Sequence, residues 1–167
     1  VTADKTEAFA KAAAAGIAKE HAIGVISGPA TDGVPMLADI DWAKIQVRWL
    51  MYNCGVIDPD NIDHYIARGG YSQYMAAAQM DRAALINVVK GSTLRGHSGS
   101  FFSTGMKWSF LKDAKAEPKY LVCNADEGDP GAWVNRVLME SDPHSILEGM
   151  LIGACATGAT HGWIYIR

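Results

Sequence analysis

Cysteine is scarce. Three occur in 167 residues, Cys54, Cys123 and Cys155, far apart and never in C-x-x-C spacing. An odd number so placed excludes a disulfide framework and a zinc ribbon, and it predicts no iron–sulfur cluster built by this chain alone. Surplus basic charge is missing too: 15 Lys and Arg face 18 Asp and Glu, a net charge of -3. That balance gives no long-range attraction to nucleic acid or an anionic membrane. His21, His64, His97, His144 and His161 show neither i, i+4 nor H-x-H spacing, so no metal site is predicted. The nucleophile pattern G-x-S-x-G is absent as well. No export signal is read, because Asp4, Lys5, Glu7 and Lys11 interrupt the alanine-rich start, and a cytoplasmic or matrix-side setting is expected. Gly149 to Ile166 runs 18 residues without Asp, Glu, Lys or Arg. It reaches only the lower edge of spanning length and holds four glycines, so close packing of a helix on a sheet is preferred to a membrane span.

What is present is an apolar content of 49% with 20% charged residues, enough for one folded core. Residues 5–22 read as an alanine-rich helix, and residues 24–35, rich in glycine and proline, read as a connector. A helix is expected over 41–54, ended by Gly55, and another over 60–68, opened by Asp58-Pro59 and stopped at Gly69-Gly70. Two short helices should follow over 71–79 and 81–90. Then the pattern changes: a strand at 119–124, a helix opened by Asp142-Pro143 and running to about Thr157, and a second strand at 163–166. Strand, helix, strand is a βαβ unit, so the strands should be parallel, with ligands beyond their carboxyl ends.

Two segments could carry chemistry. Leu94 to Trp108, L-R-G-H-S-G-S-F-F-S-T-G-M-K-W, is either an ordinary glycine-rich turn or a loop presenting N–H groups to phosphate, with Lys107 as countercharge. It is not a Walker A loop, since Met106 separates Gly105 from Lys107. Asn124 to Gly131, N-A-D-E-G-D-P-G, places three acids just past a strand end. It is either a solvated acidic loop or a site for ribose hydroxyls, a flavin ring N–H or a metal ion.

Together these segments resemble the flavoprotein subunit of respiratory complex I and its relatives in NAD-linked hydrogenases and formate dehydrogenases. Members carry L-R-G-R-G-G-A-G-F-P-T-G-x-K-W, then N-A-D-E-x-[E/D]-P-G, then D-P-H and a helix. Here D-P-H-S-I-L-E-G stands at 142–149, and Cys54-Gly55, Asp58-Pro59 and Gly69-Gly70-Tyr71 resemble the hydrogenase-type approach segment. The resemblance covers roughly 45–167. It implies an α/β chain with a helical approach segment (41–93) and a partial Rossmann-like flavin domain (94–167); residues 1–40, which the resemblance does not reach, read as an N-terminal helical extension and linker. It further implies FMN held by Gly96, Gly99, Thr104, Lys107, Asn124, Asp126 and Glu127. Phe102, Phe110 and Asp129 would meet the nicotinamide nucleotide, NAD(H). Electrons would pass to iron–sulfur subunits of a larger complex, peripheral to a membrane at most, and the flavin itself would carry the chemistry. His97, Ser98, Ser100 and Phe101 depart from the family loop. Phe101 stands where the family has glycine, which raises the alternative of a structural subunit that has lost the flavin. The resemblance ends at Arg167, before the family's G-E-E segment, ubiquitin-like domain and cluster-binding helical bundle. A β-sheet left uncovered at that point would favour a partner chain or a homo-oligomer.

Overall fold

The structure, a computed structural model, describes residues 11, 24–25, 33–97 and 99–167. It divides into two units, 1–56 and 57–167. The helix expected over 5–22 and most of the connector lie outside the described residues.

In the first unit Val25 bridges Met36, its N–H donating to Pro35 O and its carbonyl accepting from Leu37 N, both at 2.8 Å. A 3-10 turn over Leu37–Asp39 leads into α1 (Asp41–Lys44). The helix expected to reach residue 54 therefore ends ten residues early. Ile45, Val47 and Trp49 alternate with polar residues, a two-residue period that no helix face can bury, and their side chains are exposed.

In the second unit α2 (Ile62–Ala67) begins later than Asp58-Pro59 suggested. Asn61 is the cap, its side chain accepting from Asp63 N, while Asp58 Oδ1 closes a local turn on Asp60 N. Gly69, at φ +88°, ends the helix as expected. The next two helices, α3 (Ser72–Ala78) and α4 (Arg82–Gly91), lie within a residue or so of the expected spans. Asp81 caps α4 by accepting from Ala83 N and Ala84 N. Two further helices, α5 (Thr104–Asp113) and α6 (Val134–Ser141), fall where the sequence pattern gives only loops. The long α7 (Pro143–Thr157) starts at Asp142, whose side chain accepts from Ser145 N, and ends at Gly158 with φ +78°.

The helix α7 is the spine. It packs against α3, α4, α5 and α6 and against β1 (Tyr120–Asn124). The core gathers Ala77, Leu85, Ile86 and Ala156, with Trp108, Ile152 and Cys155 around it. Fully burying a side chain such as Leu85 or Ile86 is worth roughly 1.5–3 kcal/mol. Gly153 lets the spine approach closely, because an added Cβ would stand 3.2 Å from both Leu121 and Trp108. The pairing of β1 with β2 (His161–Tyr165) is parallel, Val122 opposite Trp163 and Asn124 opposite Tyr165. This is the expected strand–helix–strand order, and the described chain is mixed α/β with two parallel strands. One face of the pair rests on α7 through half-buried Leu121 and Cys123; the other, with Val122, Trp163 and Tyr165, is exposed. Gly162 lies within β2 rather than in the turn expected before it.

A buried carboxylate ties the start of this unit to the spine. Glu148, 7% exposed, accepts from Tyr65 Oη at 2.5 Å and from Tyr71 N and Tyr74 N at 2.9 Å. Tyr71 Oη meets His144 Nδ1 at 2.8 Å, and the Tyr65 ring stacks on His144 at 5.5 Å. Burial pushes the Glu148 carboxyl up, but the Tyr65 hydroxyl and the N–H groups of Tyr74, Tyr71 and Gln73 outweigh it and hold the group below its ordinary value. The same burial, with the neighbouring carboxylate, drives the Tyr65 hydroxyl well above the usual tyrosine range. Gly70 has no room for a side chain, since a Cβ would overlap the Tyr65 ring.

Candidate functional site

The glycine-rich segment folds as a narrow hairpin. Gly96 N donates to Phe102 O at 2.8 Å, Thr104 N donates to Leu94 O at 3.0 Å, and Arg95 bridges Ser103. Ser103 then caps α5, its Oγ accepting from Met106 N, so the loop opens a helix after all. The signal was present in Ser103-Thr104, but the apolar residues after it show no helical stripe. Gly96 is half-buried at the hairpin's base, and Gly99 is exposed at its tip with φ +88°. Thr104 is the first residue of α5, and Lys107 stands exposed in its first turn, without an ion pair among the described residues. Phe102 and Phe110 are exposed, their rings 6.2 Å apart and tilted by 46°. Phe101 adopts φ +50°, the left-handed region its glycine counterpart would enter freely. Ser98 lies outside the described residues.

The acidic segment follows β1 at the carboxyl end of the parallel pair. Ala125 N extends the ladder by donating to Tyr165 O at 2.9 Å. Asn124 is exposed, and its Oδ1 accepts from Asp126 N, folding the chain back. Glu127 Oε1 accepts from Asn135 N at 2.6 Å, and so satisfies an N–H at the start of α6. Asn135 Nδ2 in turn donates to Asp126 O at 3.3 Å. Asp126 Oδ1 is buried without a hydrogen bond. Arg167 Nε lies 3.4 Å from it, an ion pair whose arginine side chain is mostly exposed. Asp129 is exposed, its carbonyl closing a turn with Ala132 N.

A cavity of about 490 Å³ opens beside this segment, lined by Glu127 and Asp129 together with Trp133, Arg136, Met139 and Arg167. Arg136 lies over the Trp133 ring at 5.1 Å and pairs with Glu140 at 2.9 Å. Sequence reasoning passed over Trp133 and Arg136, which no motif marks. The lining includes none of the hairpin residues, so the expected site residues form two groups. One is the hairpin with α5; the other is the turn after β1. The helix α7 bears on both through its packing against α5 and β1. Among the described residues no group of three His, Cys, Asp or Glu is arranged to hold a metal, and no helix is long and apolar enough to cross a membrane. Burial raises the Cys123 thiol above its ordinary value, which keeps it a poor nucleophile.

The family described as the Nuo51 FMN-binding domain matches residues 89–167. That segment belongs to the family. Curated relatives agree. The NADP-reducing hydrogenase subunit HndC of Solidesulfovibrio fructosivorans is 49% identical over 124 residues, 74% of this chain and 25% of the relative. An NADH-quinone oxidoreductase subunit of Rhizobium meliloti (strain 1021) is 44% identical over 119 residues, 71% and 28%. Its counterpart from the NADH-quinone oxidoreductase of Escherichia coli (strain K12) is 43% identical over 108 residues, 64% and 24%. The chain thus spans about a quarter of the length of these relatives. A crystal structure of an NAD+-reducing [NiFe]-hydrogenase in the H2-reduced state superimposes with a TM-score of 0.54 at 29% identity, over 71% of this chain and 19% of that one. The air-oxidised state gives 0.50 at 38% identity, over 52% and 15%. The hairpin and the turn after β1 both fall inside the matched span.

Proposed function

We propose that this chain is part of an NADH-oxidising flavoprotein subunit, with residues 94–167 contributing a Rossmann-like half of its FMN site. Residues 41–93 would be the approach segment and 1–40 an N-terminal extension. The observation that carries the reading is Asp126 Oδ1, buried without a hydrogen bond and faced by the largely exposed Arg167 at 3.4 Å, inside a span that matches an FMN-binding family. A buried carboxylate oxygen in that condition suits an N–H donor such as a flavin ring supplies. Asn124 and the remaining oxygen of Glu127 would serve the same polar edge. Gly99 at the hairpin tip and the exposed charge of Lys107, which no described residue pairs, would face a phosphate, while Gly96 and Thr104, whose N–H groups donate to Phe102 O and Leu94 O, would hold the loop in shape around it. Phe102, Phe110 and Asp129 would take the nicotinamide nucleotide. FMN, when bound, would supply the hydride and single-electron chemistry, with iron–sulfur partners as the acceptors in this reading. The chain's own residues bind, orient and exclude water. The setting would be cytoplasmic or matrix-side, peripheral to a membrane complex at most.

Titrating FMN into the chain tests this through quenching of flavin fluorescence. Wild type should bind, and Asp126→Ala and Lys107→Ala should each weaken binding by roughly tenfold or more. Equal affinity in all three would defeat the assignment. A second reading, a structural subunit without flavin, is favoured by Glu127 being engaged at the start of α6 and by Phe101 in the place of a glycine. It expects no flavin absorbance in the purified subunit.

A further inference from the structure

The Phe101 side chain is 59% exposed and takes part in no ring contact among the described residues, while its backbone holds φ +50°. A left-handed conformation is strained for a bulky residue and persists only where its surroundings impose it. Here they do. Arg95 Nη1 donates to Phe101 O at 3.2 Å, and the next residue is fixed by Gly96 N donating to Phe102 O. Glycine would satisfy this backbone without strain, and so exposed a ring gains little packing to offset it. The ring is therefore not retained for the stability of the fold. It sits one residue from the Phe102–Phe110 pair, on the same hairpin. The exposed residues Phe101, Phe102 and Phe110 are all aromatic, and the hairpin tip beside Phe101 is Gly99-Ser100, small and polar. An exposed ring between a polar tip and an aromatic pair suits one flat aromatic ligand.

We propose that Phe101 is a third aromatic contact for the base of a nucleotide bound at this hairpin, and so tunes how tightly bases are held. The proposal rests on the nucleotide-binding reading above and adds a residue to it. Base–aromatic stacking depends on the face of the ring and tolerates different bases. Phe101 should thus strengthen binding of any ligand carrying a base and leave base-free phosphates unaffected. No group is transferred, so the effect appears in equilibrium affinity.

The test uses the 167-residue chain with ADP-ribose and, as the base-free probe, ribose 5-phosphate, both by calorimetric titration. Phe101→Gly removes ring and strain together; Phe101→Ala removes the ring and keeps a Cβ at positive φ. Both should bind ADP-ribose about tenfold more weakly than wild type, with ribose 5-phosphate unchanged. Phe101→Gly should also melt at or above the wild-type temperature. Wild-type affinity for ADP-ribose in both variants would overturn the proposal, as would an equal loss for ribose 5-phosphate. Improved binding by Phe101→Gly alone would overturn it too, by showing that strain, rather than the ring, governs the hairpin. A joint Phe102→Ala, Phe110→Ala variant separates the two levels. If it loses ADP-ribose while the Phe101 variants keep it, the nucleotide reading stands and this inference fails. If wild type takes up no ADP-ribose, both fail.

Discussion

Replacing Glu148 with glutamine leaves the buried acceptor in place but takes away its charge and turns one oxygen into a donor. The Tyr65 hydroxyl and the backbone N–H groups of Tyr71, Tyr74 and Gln73 all donate to that carboxylate. Glu148→Gln should lower unfolding free energy by roughly 2–3 kcal/mol, and Tyr65→Phe by about 1.5 kcal/mol, in urea titrations at neutral pH. The pH dependence follows from the shift. The folded carboxyl titrates below its unfolded value, so its contribution is complete above the ordinary glutamate range of about 4.3 and fades as pH falls through the folded value. The gap between wild type and Glu148→Gln should therefore narrow on acidification. The Tyr65 hydroxyl is raised instead, so its contribution holds below about pH 10 and fades only above it. A gap that stays constant down to pH 2 would remove Glu148 as the source. Sequence did not expose this cluster, although it left a trace. Glu148 is the one acid in an otherwise apolar helix, and its partners lie 74 to 83 residues away. Asp126 and Glu127 were legible as a motif. Their different environments were not, because Asn135, which engages one of them, belongs to a helix the pattern did not announce.

Between elements, spacing is set by small residues. Gly105 of α5 faces Lys90 of α4, where an added Cβ would stand 2.7 Å from Lys90 N and 2.9 Å from its Cα. Backbone cannot yield as a side-chain tip can. Gly105→Ala should cost about 1–3 kcal/mol and lower the melting temperature. Gly149, on the exposed side of α7, meets nothing within 4 Å. Gly149→Ala should stabilise by up to about 1 kcal/mol, the helix-propensity difference. Opposite signs for the same chemical change would confirm that packing decides, and a loss at both positions would contradict it. The same contrast explains which elements could be read. The spine α7 carries a cap, a proline at its first turn and a terminal glycine, and β1 is a short apolar run; both stood out. The helix α5 has a weak apolar stripe and an internal glycine, and α6 is eight residues beside an acidic loop, so neither did. Over 45–50 an abundance of large apolar residues suggested a helix whose period the residues do not have.

For the second unit as a whole, the parallel pair is the unfinished part. Sheets of this kind are buried on both faces, yet Val122, Trp163 and Tyr165 are each about 60% exposed on one of them. The isolated chain should self-associate with rising concentration, and Val122→Lys should shift sedimentation toward the monomer without unfolding it. An unchanged monomer for wild type at high concentration would contradict this. The contact between Glu148 and the tyrosines also has a consequence in time. A ribosome makes Tyr65 long before its partner, and at about 5–20 residues per second the 83-residue separation takes roughly 4–17 s. Throughout that interval the 60–80 region has no anchor, and a nascent chain stalled short of residue 148 should be cut there by protease. Once α7 has cleared the exit tunnel, the same cuts should vanish.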